Sequence, residues 1–173
     1  QKNPFFAIDV FKCFLKNLPN AEYWGVGNGP LEERVKTYIE EKKLTKYIKL
    51  LGSRNDTVEL YQGMDAFFLP SFFEGLPVTG VEAQAMGLPM VVSDTVTCEM
   101  VYTDLVDYVS LNDTPEAWAS RLEIALRKNV KREQYADRLK LSNFSNIGCG
   151  NRLEQVYCWW INGYVWSKLW LQQ

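Results

Sequence analysis

The side chains best placed to do chemistry lie at residues 72–86, where Glu74 and Glu82 flank a turn between a strand and a helix. Residues 65–71 are a short apolar run that contains Pro70, typical of a buried strand, and apolar residues recur at helical spacing after Pro77. The first turn of a helix combines free backbone N–H groups with the positive end of the helix dipole, and so favours phosphate. The pattern predicts a phosphate between two acids, and hence a ligand with hydroxyl groups on both sides of its phosphates.

Gly80 lies inside the predicted helix. Glycine in a helix costs roughly 1 kcal/mol relative to alanine. We therefore expect this helix to lie very close to the sheet or to a ligand.

The composition is that of a soluble globular protein of one domain: 173 residues, 47% apolar and 23% charged. The formal net charge of -2 argues against nucleic acid or anionic lipid as a partner. The chain contains no histidine, which excludes Ser-His-Asp and Cys-His catalysis and histidine metal ligation from these residues.

Four cysteines are scattered without a C-x-x-C pair, so the sequence indicates neither a zinc site nor a disulfide framework. A reducing cytoplasm is the expected location. No run of 18 or more apolar residues could span a bilayer, so contact with the inner face of a membrane is expected to be peripheral at most.

Predicted strands and helices alternate along the chain, which favours a doubly wound, Rossmann-like parallel α/β sheet covered on both faces. The predicted strands are 22–26, 47–51, 65–69, 88–92 and 107–111, and the predicted helices are 4–17, 31–43, 57–63, 77–86, one from 113 or 114, 132–141 and 152–160. Asn3, Asp56 and either Asp113 or Thr114 are good N-cap residues. Ligands of such sheets bind beyond the carboxyl ends of the strands, where residues 27–29, 53–54 and 72–77 converge.

Five segments carry a resemblance to a known family: LGSRND at 51–56, MDAFFLPS at 64–71, EGLPV at 74–78, EAQAMGLP at 82–89 and VVSD at 91–94. Residues 1–158 resemble the C-terminal, donor-binding domain of family 4 glycosyltransferases, which are retaining enzymes of the two-domain GT-B fold. The likeness is strongest to bacterial enzymes that build capsular or exopolysaccharide. It implies transfer of a sugar from a nucleoside diphosphate sugar to a glycan or lipid-linked acceptor, without metal or cofactor.

The resemblance implies a role for each matching residue. Glu74 would contact hydroxyls of the transferred sugar, Glu82 would bind the ribose hydroxyls, and Lys2 would neutralise the diphosphate. The remaining donor-binding residues would act through the backbone or line the base: Gly27, Gly29, Ser53, Arg54, Asp56, Gly75, Leu76, Pro77 and Val78.

The chain also departs from the family pattern. The family has an arginine five residues before the matching lysine, ahead of residue 1, and its first strand would lie between 22–26 and 65–69. We therefore expect a piece of a longer protein, with the acceptor domain missing and no transfer by residues 1–173 alone. Residues 159–173 form an unusually aromatic tail, expected to pack on that other domain rather than on a membrane.

Two alternatives remain open from the residues. One is another GT-B enzyme, such as a sugar-nucleotide epimerase or a phosphorylase-like enzyme. The other is a non-catalytic nucleotide-binding α/β module, which would not need Glu74. The sequence does not specify the sugar, the base or the acceptor.

Overall fold

The computed structural model describes residues 1–142, 144 and 165–171. Strands and helices alternate along this part of the chain as predicted. In chain order the elements are α1 (Pro4–Phe14), β1 (Ala21–Gly27), α2 (Glu32–Glu41), β2 (Ile48–Gly52), α3 (Thr57–Gln62), β3 (Ala66–Leu69), α4 (Val78–Ala85), β4 (Met90–Ser93), a 3-10 turn (Cys98–Met100), β5 (Val106–Val109), α5 (Pro115–Leu126), α6 (Glu133–Leu141) and β6 (Val165–Leu171).

The strands form one sheet in the order β2-β1-β6-β3-β4-β5. The pairs β1–β2, β3–β4 and β4–β5 are parallel, as in a doubly wound sheet. Because β6 runs antiparallel to both β1 and β3, those two strands also share one direction. The carboxyl ends of β1 to β5 therefore lie at one edge of the sheet.

The position between β1 and β3, where the sequence predicts a missing strand, is occupied by a segment of the predicted tail. The sequence predicts a missing strand there and a tail at 159–173, whereas the structure places Val165–Leu171 in that position. The edges of β1 and β3 offer free backbone hydrogen-bonding groups, and residues 165–171 are rich in the aliphatic and aromatic types that favour strands. The rest of the predicted tail and the predicted helix at 152–160 lie outside the described residues.

Helices cover both sides of the sheet. The apolar core on the first side takes its helical residues from α1, α2 and α5, and the core on the second side takes them from α3, α4 and α6. Within β3, Phe68 packs in the first core while Phe67 and Leu69 pack in the second. Successive side chains of a strand point to opposite sides, so both sides of β3 are buried, which explains its uninterrupted apolar sequence.

Several helix ends differ from the prediction. α1 ends at Phe14 rather than near residue 17, and Asn3 precedes it with φ 54° and no side-chain cap. Asp56 precedes α3 but its side chain does not cap that helix, and Pro77 lies one residue before α4 instead of in its first turn. Thr114 does cap α5, accepting a hydrogen bond from the backbone N–H of Ala117. Among the described residues, none of the helices is long and apolar enough to span a bilayer.

The contact at Gly80 confirms that α4 lies close to the sheet. A Cβ atom at this position would lie 2.7 Å from Sδ of Met100 and 3.5 Å from Cε of Met90. Met90 belongs to β4 and Met100 to the 3-10 turn. The glycine therefore allows α4 to pack closely against both, at some cost in helix propensity.

Candidate functional site

Glu74 lies in the loop between β3 and α4 and is buried, with 2% of its surface exposed. Its Oε1 accepts hydrogen bonds from Nζ of Lys2 at 2.6 Å and from Oγ of Ser71 at 2.7 Å. Its Oε2 is buried and has no hydrogen-bond partner among the residues that the structure describes. A buried carboxylate oxygen without a donor is costly, which indicates a place for a ligand hydroxyl.

Lys2 lies next to this carboxylate because a backbone hydrogen bond joins Gln1 to the loop that carries Glu74. The backbone N–H of Phe72 donates to the carbonyl of Gln1 at 2.9 Å, and this bond ties residues before α1 to the Glu74 loop. Burial lowers the pKa of Lys2 below its ordinary value of 10.5, and the attraction of Glu74 offsets part of that effect. The result is a buried cation next to Glu74, at the carboxyl edge of the sheet.

Hydroxyl groups from β4 and the loop after it form hydrogen bonds with the backbone of the loop that carries Glu74. Ser93 and Thr95 both donate to the carbonyl of Ser71, Thr95 at 2.9 Å. Val96 forms an isolated parallel bridge with Glu74. Two strand ends therefore fix the position of the Glu74 carboxylate.

The first turn of α4 follows Glu74. Its leading backbone N–H groups have no partner within the helix, because a helix cannot supply one. The hydroxyl of Thr79 is buried without a hydrogen-bond partner among the described residues. A Cβ atom at Gly75 would meet nothing within 4 Å, so the space beside this residue, in the loop that leads into the turn, is open. Donors, this open space and Lys2 together suit a phosphate group.

Glu82 lies on α4 and is half-buried. The hydroxyl of Tyr61, from α3, donates to Oε2 of Glu82 at 2.8 Å. Lys2 precedes α1 on the first side of the sheet, whereas α3 packs on the second side. The two acids thus lie on α4 and just before it, Glu74 bonded to Lys2 and Ser71 and Glu82 bonded to Tyr61 of α3.

The loops after β1 and β2 lie against each other at the same edge of the sheet. Gly27 has φ 119°, in the region that favours glycine, and the next residue, Asn28, has its side-chain oxygen 3.3 Å from where a Cβ of Gly52 would lie. Gly29 ends that first loop, its carbonyl accepting from the N–H of Glu32 at 3.1 Å. This arrangement brings the predicted glycine loop next to residues 53–56.

The other predicted residues differ in exposure. Ser53, Arg54 and Gly75 are exposed, Asp56, Leu76 and Val78 are half-buried, and Pro77 is buried. Nε of Arg54 donates to Oδ1 of Asp56 at 2.7 Å. Asp56 therefore pairs with a neighbour instead of capping α3.

Four residues that support the two acids were not predicted from the sequence: Ser71, Ser93, Thr95 and Tyr61. A signal was available for Ser93, because a polar residue directly after a buried strand lies at the ligand edge of the sheet, as does Ser53. No comparable signal exists for Tyr61, whose spacing is that of a core residue in a short helix.

A cleft of about 530 Å³ lies elsewhere, next to the starts of β1, β3 and β4. Asn20, Asp65 and Arg127 are among its lining residues. Since the amino ends of parallel strands are opposite to their carboxyl ends, this cleft is separate from the predicted site.

Comparison with known proteins identifies the family. The sequence profile described as "Glycosyl transferases group 1" matches residues 1–141. The chain belongs to this family. The match includes every residue that the sequence analysis assigned to the donor site.

Two curated relatives illustrate the similarity. The UDP-Gal:alpha-D-GlcNAc-diphosphoundecaprenol alpha-1,3-galactosyltransferase of Escherichia coli is 38% identical over 97 residues, which are 54% of this chain and 25% of that protein. The putative glycosyltransferase EpsF of Bacillus subtilis is 36% identical over 97 residues, 56% of this chain and 25% of that protein. The chain thus spans about a quarter of the length of these relatives.

Solved structures show the same fold. WaaG, a glycosyltransferase involved in lipopolysaccharide biosynthesis, superposes with a TM-score of 0.71 at 17% identity, covering 94% of this chain and 44% of that chain. A glycosyltransferase from Rickettsia africae superposes with a TM-score of 0.71 at 23% identity, covering 93% and 45%. The Rossmann-like half of a GT-B glycosyltransferase is therefore the architecture of this chain.

Proposed function

We propose that this chain forms the donor site of a glycosyltransferase that transfers a sugar from a nucleoside diphosphate sugar. The observation that supports this most directly is the buried Oε2 of Glu74, which lacks a partner among the described residues. It lies beside Lys2 and just before a helix start, so one ligand could place a sugar hydroxyl at Glu74 and a diphosphate at the helix.

The proposed chemistry depends on placing positive charge. As the bond between sugar and diphosphate breaks, negative charge grows on the leaving diphosphate, and Lys2 with the first turn of α4 would stabilise it. Glu74 would bind hydroxyl groups of the transferred sugar next to the diphosphate, and Glu82 would bind the ribose hydroxyls. Transfer with retention of the anomeric configuration is part of the proposal, and it is tested by the configuration of the product.

The acceptor is proposed to be a glycan or a lipid-linked glycan. The names of relatives from Escherichia coli and Campylobacter jejuni include acceptors linked to diphosphoundecaprenol. We propose that this chain holds the donor and that the rest of the longer enzyme holds the acceptor.

The test measures donor binding and turnover in the full-length protein with a panel of nucleoside diphosphate sugars. Glu74→Gln should lower kcat by about 100-fold, the effect of removing one strong site contact, because a neutral amide replaces the charged carboxylate that would accept from the sugar. Glu82→Ala should mainly weaken donor binding. Glu40→Gln, at an exposed acid of α2, is the control.

A non-catalytic nucleotide-binding module would give a different result. It would bind a nucleoside diphosphate, show no turnover with any donor, and keep its affinity in Glu74→Gln. That combination of outcomes would replace the transferase proposal.

No metal is proposed to take part, since Lys2 and the helix start supply the positive charge. Treatment with EDTA should leave turnover unchanged. Loss of turnover on chelation, restored by a divalent cation, would show that this part of the proposal is wrong.

A further inference from the structure

Tyr61 is a buried side chain of α3 with a polar contact to the proposed donor site. Only 1% of its surface is exposed. Its hydroxyl donates to Oε2 of Glu82 at 2.8 Å and lies 3.3 Å from the carbonyl oxygen of Thr79. The hydroxyl thus contacts both the carboxylate of Glu82 and the backbone of the first turn of α4.

The backbone of Tyr61 is held by Arg132, which also contacts the end of α4. Nη2 of Arg132 donates to the carbonyl of Tyr61 at 2.7 Å, and Nε of the same guanidinium donates to the carbonyl of Met86 at 2.9 Å. These carbonyls lie at the carboxyl ends of α3 and α4, where cations are favourable. One side chain therefore fixes the two helices relative to each other, and with them the contact between Tyr61 and Glu82.

We propose that Tyr61 is a positioning residue that holds the Glu82 carboxylate ready to bind the two ribose hydroxyls of the donor. This inference rests on the proposed function, in which Glu82 contacts ribose. A free glutamate side chain loses rotamer freedom when it binds a ligand, and a side chain already held in place loses less. A carboxylate has about four acceptor sites, so Oε2 can accept from Tyr61 and still accept a ribose hydroxyl.

The ring of Tyr61 also has a structural role, since it packs in the core with its centroid 6.3 Å from that of Phe67. Tyr61→Phe keeps the ring and removes the hydroxyl. This substitution therefore separates positioning of Glu82 from packing of the core.

The measurement compares ribose with a sugar that lacks both hydroxyls. For the full-length protein, dissociation constants are measured for the tightest-binding of UDP, GDP, ADP and CDP and for its 2′,3′-dideoxy counterpart. The ratio of the two constants is the ribose preference. Tyr61→Phe should reduce this preference by about tenfold, the weight of one hydrogen bond to a charged group.

Two further variants complete the design. Tyr38→Phe is the matched control, because it also removes a tyrosine hydroxyl bonded to a carboxylate, that of Asp9, on the other side of the sheet. It should keep the ribose preference of the wild type. In a Glu82→Ala background, Tyr61→Phe should cause no further change, because Tyr61 acts through Glu82.

The outcomes separate the two proposals. If Glu82→Ala lowers the ribose preference and Tyr61→Phe does not, the positioning role is wrong and the donor site stands. If neither substitution changes the preference, the assignment of Glu82 fails, and the role of Tyr61 fails with it. If Tyr61→Phe destabilises the protein, the double variant decides: a further loss of preference without Glu82 contradicts the inference.

Discussion

Glu74 shows how few contacts define the candidate site at the scale of single residues. One of its oxygens is held by Lys2 and Ser71, and the other has no partner among the described residues. The position of Glu74 between a strand and a helix marks it in the sequence, whereas Lys2 is indicated only by the family resemblance. The sequence did not predict the serine, whose role depends on which way its hydroxyl points.

Ser71→Ala should impair catalysis more than binding. The substitution removes one of the hydrogen bonds that orient Glu74, so kcat should fall by about tenfold, the weight of one hydrogen bond to a charged group, while the donor dissociation constant stays within about twofold. Steady-state kinetics and calorimetry on the full-length protein measure the two effects. Ser120→Ala removes a hydroxyl bonded to the backbone of α5 and is the control. An equal loss in the control would assign the effect to stability.

The lowered pKa of Lys2 predicts that donor binding weakens at alkaline pH. Burial lowers its pKa below 10.5, so it loses its proton at a lower pH than an exposed lysine does, and affinity for the diphosphate should fall as the pH rises through the lowered pKa. Lys2→Arg should keep its affinity to a higher pH, because arginine stays charged. Calorimetric titrations from pH 7 to 10 compare the two proteins. Identical profiles would show that Lys2 does not bind the diphosphate.

The lowered pKa of Lys2 has the opposite effect on the stability of the ligand-free protein: stability should increase as the pH rises. Between the lowered pKa and 10.5, the unfolded chain holds the proton on Lys2 while the folded chain does not. Stability rises with pH wherever the unfolded state binds more protons. Over this range the contribution of Lys2 to the free energy of unfolding should therefore increase while affinity for the diphosphate decreases.

At the scale of elements, the alternation of strands and helices was predictable from the sequence. The side-chain contacts that hold the helices in place were not. Buried strands such as β3 and β4 stand out as apolar runs, and Gly87 marks the end of α4 with φ 67°. Arg132, in contrast, reads as one of many surface charges. Its guanidinium donates to backbone carbonyls at the ends of α3 and α4. These contacts join residues that are 46 to 71 positions apart in the sequence, so they depend on the tertiary fold.

Arg132→Met should destabilise the fold. It leaves half-buried carbonyls at the ends of two helices without their charged donor, which should cost about 2 kcal/mol in the free energy of unfolding. Arg138→Met removes an exposed arginine that pairs with Asp104 at 2.7 Å, and should cost less than about 1 kcal/mol. Urea unfolding of both variants makes the comparison. Equal effects would mean that Arg132 is an ordinary surface charge.

At the scale of the whole molecule, the sheet as a doubly wound layer was predictable, and the occupant of its central position was not. The strand order required something between β1 and β3, because the two are not neighbours in such sheets. Local sequence shows only that residues 165–171 can form a strand. It does not show which strand edges they meet, since that depends on which hydrogen-bonding positions the other strands leave open.

The pairing of β6 gives a test at this scale. The backbone of Lys168 pairs with Trp24 of β1 and with Phe67 of β3, so its position lies in both ladders. Lys168→Pro removes a backbone donor and fixes φ in the middle of a sheet, and should lower the free energy of unfolding by about 2 kcal/mol or more. Lys168→Thr, which keeps the backbone donor and favours strands, should have a much smaller effect. Urea unfolding of both variants distinguishes a strand from a tail, because a segment outside the sheet would tolerate proline as well as threonine.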